Sequence, residues 1–60
     1  METTDIGAVA RHLFETRGAK AIAEAAQNAA RFSEAGDERQ AKMWQRVEAV
    51  LREMRGPRQS

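Results

Sequence analysis

Cysteine is missing from the 60 residues of this chain, and histidine occurs once. The first absence rules out a disulfide staple and a thiolate-bound zinc. The second leaves His12, with Glu15 one turn on, as at most half of a metal site, which no second histidine or paired carboxylate motif completes. Serine is confined to Ser33 and Ser60, and neither sits in the strained strand-to-helix turn that activates a serine nucleophile. Gly7, Gly18, Gly36 and Gly56 stand apart from one another, so no glycine-rich loop is present to cradle a phosphate. No stretch approaches the roughly 20 apolar residues of a membrane span. The opening METTDIGAVARHLFETR has no basic segment followed by an apolar run. These absences lead to the expectation of a soluble cytoplasmic protein that is not an enzyme and holds no metal or cofactor.

An excess of charge of one sign is also lacking. The formal net charge is +1, with 32% of residues charged and both signs interspersed. That is the composition of a solvated surface rather than an electrostatic footprint for nucleic acid. A mild asymmetry remains, because the last 24 residues carry more basic than acidic side chains.

What the chain does contain is helical periodicity punctuated by glycine. Its 60 residues and 6.7 kDa leave room for a single domain. At about 100° per residue, Ile6, Val9, Ala10, Leu13 and Phe14 share one face, which predicts a first helix over about 5–17 with Thr3, Thr4 or Asp5 as its N-cap. Gly18 suits the left-handed residue that ends it. A second helix is predicted over about 19–35, with Lys20, Glu24, Gln27, Arg31 and Glu34 on one side and Ile22, Ala25, Ala26, Ala29 and Phe32 on the other. Its buried face is mostly alanine, which lets a neighbouring helix come close.

Gly36-Asp37 is the strongest local signal. Glycine closes the second helix and the aspartate caps a third, predicted over about 38–55, and so short a connection makes an antiparallel hairpin. The third helix carries a stripe of Met43, Trp44, Val47, Val50, Leu51 and Met54. Asp37 and Glu38 at its start and Arg52 and Arg55 at its end complement the helix dipole, and Glu38 with Lys42 and Glu48 with Arg52 are spaced to pair. Gly56-Pro57 stops it, and 56–60 are expected to form a disordered tail.

The fold expected is therefore an all-α three-helix bundle whose last two helices form a hairpin. Gly18 leaves a second arrangement open, since a glycine inside a helix costs only about 1 kcal/mol. The first two helices would then be one long kinked helix, and such a molecule would need a partner chain.

Several residues invite a functional reading. Glu34, Asp37 and Glu38 cluster at the hairpin, but their spacing lacks the alternating oxygen ligands of a calcium loop, and cap and dipole duties account for them. Ser33 is expected to bond back to a carbonyl one turn earlier. Trp44 either packs across the hairpin on the alanine face or anchors an interface beside Met43, since tryptophan and methionine are enriched in binding patches. Arg46, Arg52, Arg55 and Arg58 make the basic set through which a small regulator would contact nucleic acid. That reading is the weaker one, because the aromatics Phe14, Phe32 and Trp44 all lie on core faces and leave nothing to stack on bases.

The string AKAIAEAA at 19–26, then Gly36-Asp37, then Trp44, Arg46 and Val47 with a finish at Leu51 to Met54, resembles a group of short helical proteins of alphaproteobacteria. The resemblance spans about residues 6–57. It implies an all-helical, cytoplasmic bacterial protein with no assigned activity, and so carries over no catalytic residue. The hairpin is also similar to the helix pairs of tetratricopeptide-type repeats, in which small residues on one helix face an aromatic on the other. The chain has one such unit and lacks that repeat's Trp-Leu-Gly-Tyr pattern.

The functional expectation rests on size. A chain this short, without disulfide or metal, has self-association as its remaining route to a larger core. We expect a helical module for protein–protein interaction or self-assembly, a homodimer, acting through Phe14, Met43, Trp44, Leu51 and Met54.

Overall fold

The computed structural model describes residues 5–56. Thr3, Thr4 and residues 57–60 of the expected tail lie outside the described residues. Three helices follow one another: α1, Ile6–Arg17; α2, Lys20–Glu34; and α3, Glu38–Arg55. No strand forms among the described residues.

Helix α1 begins where an aspartate can satisfy its free amides. Asp5 has extended backbone angles (φ −89°, ψ 97°), and its carboxylate accepts from the Ala8 N–H at 3.2 Å. The helix ends at Gly18, which breaks the chain into two helices rather than kinking one. Its N–H still reaches the Phe14 carbonyl at 2.8 Å, but its backbone turns to φ 64°, ψ −144°. This ψ lies outside the left-handed helical well expected from sequence, in a region open essentially to glycine alone.

Helix α2 then starts one residue later than expected and without a side-chain cap, because its N-cap position is Ala19. The first turn is tied instead by the Ala21 N–H to the Gly18 carbonyl (3.0 Å) and the Ile22 N–H to the Ala19 carbonyl (3.1 Å). Its far end is closed fully. Gly36, at φ 86°, donates to the Ser33 carbonyl (3.1 Å) and Asp37 to the Phe32 carbonyl (2.8 Å), the paired bonds of a Schellman motif. Asp37 next caps α3 by accepting from the Gln40 N–H at 3.2 Å.

Two smaller expectations change. Glu48 and Arg52 pair at 2.7 Å, whereas Glu38 and Lys42 are not among the ion pairs of the described residues. Ser33 is exposed, and the hydroxyl that bonds back along its helix is that of Thr16, which donates to the His12 carbonyl at 2.9 Å.

Helices α2 and α3 pack most extensively, α1 lies chiefly against α3, and α1 meets α2 least. Ala10, Ala21, Ala25, Val47 and Leu51 form the buried cluster at which all three helices meet. Ala21, Ala25 and Ala29 make a ridge four residues apart along α2, buried against the hairpin partner. Ala41 extends the buried face of α3 towards the turn. Among the described residues, Val47 and Leu51 are the large side chains that are fully buried. The interior is thin because alanine builds most of it.

Candidate functional site

A thin interior leaves the larger apolar side chains only partly covered. Ile6, Val9, Leu13 and Phe14 on α1, Ile22 on α2, and Trp44, Val50 and Met54 on α3 all pack against the buried cluster while remaining half-buried. Phe32 and Met43 are half-buried as well and lie outside that cluster, towards the hairpin end. The molecule thus shows a broken apolar surface spread over the edges of three helices.

Of the five residues expected to meet a partner, four fall on this surface. Phe14, Trp44 and Met54 present one side to the core and another to solvent, and Met43 sits apart from the core. Leu51 is a correction. It is 0% exposed, enclosed with Val47 between the helices, and has no side to offer a partner of the closed bundle. Leu51 and Met43 both stand four residues from Val47, about 40° from it on opposite sides, and a stripe read from periodicity alone does not tell which side the neighbouring helices enclose.

Sequence reading missed Ile6, Val9, Leu13, Ile22, Phe32 and Val50 as only half-buried residues. Their signal was present in the width of the stripes compared with the alanine opposite them. Small facing residues bring the helix axes together and leave flanking side chains outside the contact.

Polar edges border the surface. Met54 shares an open groove with Asp5, Gly7, Ala8, Arg11, His12 and Glu15 of the first helix and its cap. Phe32 lies in a recess with Asn28, Arg31 and Ala35. His12 and Glu15 are both exposed, and Asp37 spends its carboxylate on the Gln40 amide. No three His, Cys, Asp or Glu side chains gather as metal ligands among the described residues.

The basic set does not converge. Arg46, Arg52 and Arg55 are exposed. At about 100° per residue, Arg46 and Arg55 fall on opposite sides of α3, and Arg52 points away from Arg46 by about 120°. Arg52 is also held by Glu48. Arg58 lies outside the described residues. No helix among the described residues is long and apolar enough to cross a membrane.

Comparison with family models, with curated proteins and with solved structures finds no match for this chain.

Proposed function

We propose that the chain is a non-catalytic helical module for protein–protein association, and that its first partner is a second copy of itself. What supports this reading is the mismatch between interior and stripes. Among the described residues, five of the seven buried apolar side chains are alanine, while the larger apolar side chains around them are only half-buried. Apolar surface left in water favours association, at about 25 cal/mol per Å² removed. Phe14, Met43, Trp44 and Met54 are among these half-buried side chains.

The reading places the protein in a bacterial cytoplasm, in keeping with the resemblance of its helical segments to short alphaproteobacterial proteins. It needs no metal or prosthetic group.

Sedimentation equilibrium across a micromolar to millimolar series tests the association. The expected outcome is a concentration-dependent dimer that forms without change in helicity. A chain that remains monomeric throughout the series contradicts the proposal.

A further inference from the structure

Gly18 and Ala19 make a junction unlike the one at Gly36 and Asp37. No side chain caps the start of α2, and the helix before the junction contacts α2 less than it contacts α3. None of the backbone hydrogen bonds at the junction uses the Ala19 N–H. The Arg17–Glu24 ion pair that bridges the two helices is exposed at both ends, and such pairs add little. The turn therefore depends on Gly18, whose φ of 64° and ψ of −144° other residues avoid.

The residues on either side would accept a continuous helix. Glu15-Thr16-Arg17 and Ala19-Lys20-Ala21 contain no proline and no strong helix breaker. Straightening Gly18 would give one helix from Ile6 to Glu34, about 43 Å long at 1.5 Å per residue. Its apolar stripe would stay in register. Taking Ala10 as zero and about 100° per residue, Ala21 falls at about 20°, Ala25 at about 60°, Ala29 at about 100° and Phe14 at about 40°. The faces that α1 and α2 bury separately become one face.

We propose that two copies of this chain dimerise by exchanging α1, with Gly18 as the hinge. In the closed molecule Ala10 is buried with Val47 and Leu51 of its own chain. In the dimer the straightened helix carries Ala10 onto Val47 and Leu51 of the second copy. Most of what α1 contacts belongs to α3, so the exchange remakes those contacts across copies. The α2–α3 hairpin, held by Gly36 and Asp37, stays within each chain. This proposal rests on the self-association reading and says how that association is made.

Two substitutions move the hinge in opposite directions. Gly18→Ala favours the straight helix by about fivefold through propensity alone, and it burdens the closed turn further because a Cβ at this φ is strained even with open space around it. Ala19→Pro does the reverse. Ala19 already has φ −64°, its side chain is exposed, and Gly18 before it has the extended ψ that proline requires. Proline there keeps the turn and blocks a continuous helix.

The test is an isotope-filtered NMR experiment on equal parts of labelled and unlabelled chain refolded together, with sedimentation alongside. Methyl contacts of Ala10 with Val47 and Leu51 across copies are expected in the wild-type dimer. The association constant should rise at least tenfold in Gly18→Ala, by about the propensity and strain effects together, and dimer should vanish in Ala19→Pro. A dimer whose cross-copy contacts lie elsewhere, with Ala10 meeting only its own α3, overturns the exchange and leaves the association reading standing. So does an Ala19→Pro chain that dimerises as well as the wild type, which decides the matter even if Gly18→Ala fails to fold. A wild-type chain that never dimerises overturns both.

Discussion

The backbone N–H of Asp37 donates to the Phe32 carbonyl at 2.8 Å, so the residue that starts α3 also finishes α2. Its carboxylate turns forward to the Gln40 amide while its own amide turns back. Gly36 makes this possible by taking φ 86°, which lets the chain reverse within two residues. The hairpin turn is thereby fixed by local bonds on both of its sides. The Gly18 junction has backbone bonds but no side-chain cap, and this asymmetry between the two turns is what makes Gly18 the hinge of the proposed exchange.

Asp37→Ala is expected to cost about 1 kcal/mol, the usual loss when an N-cap aspartate becomes alanine, and Asp37→Asn should recover most of it because asparagine caps nearly as well. Both variants keep the backbone N–H to Phe32. Urea denaturation of the two proteins measures the difference. Equal losses in both variants would show that the carboxylate's charge, acting on the dipole of α3, matters more than the hydrogen bond it accepts.

Leu51→Ala is expected to cost about 2–5 kcal/mol, since it empties one of the two large side chains in the interior. A domain of this size is stable by only about 3–9 kcal/mol. The thermal midpoint should fall by at least about 8 °C, at about 4 °C or more per kcal/mol for a domain of this size, which circular dichroism will register. Ala25→Leu should also destabilise, by about 1–3 kcal/mol, because Ala25 is fully buried on the ridge where α2 and α3 come close.

The three helices, their order and the hairpin were legible because the signals that specify them are local. Aspartate at 5 and 37, glycine at 18 and 36, and apolar spacing of three and four residues each act within a turn or two of their own position. The geometry at Gly18 was less legible. Sequence indicated a break or a bend there without the ψ that distinguishes them, since glycine allows both and Ala19 offers no cap to choose between them. The candidate surface was legible in part. Phe14, Met43, Trp44 and Met54 are half-buried and Leu51 is enclosed, although on the helix wheel Met54 lies about 20° from Val47 and Leu51 about 40°, because which line of a stripe is enclosed depends on where the neighbouring axes run. That is a tertiary fact, set here by the alanines of α2.

The Arg17–Glu24 pair joins α1 to α2 across the weakest contact in the fold. Both side chains are about half exposed, 51% and 43%, so the coupling is expected to be small, about 0.2–1 kcal/mol. A double-mutant cycle with Arg17→Ala and Glu24→Ala measures it by chemical denaturation. The coupling should shrink as salt is raised, because exposed charges are screened. A coupling well above this range that salt leaves untouched would mean that the two helices are held together more firmly than their packing indicates.

Met43→Lys separates association from folding. Met43 is half-buried and stands outside the cluster that holds the helices together, so a lysine there can lay its aliphatic stem along α3 and keep its charge in water. Helicity and thermal midpoint should change little. In a two-fold dimer the same substitution occurs in both copies, so an interface that includes this position must desolvate two ammonium groups or lose the contact. An exchanged α1 brings together the α1 and α3 side chains around Phe14 and Met54 and leaves Met43 at the hairpin end, so the dimer dissociation constant, read by sedimentation on folded protein, is expected to stay within about twofold. A rise of about tenfold or more, about 1.4 kcal/mol, would place the hairpin end in the interface and count against the exchange.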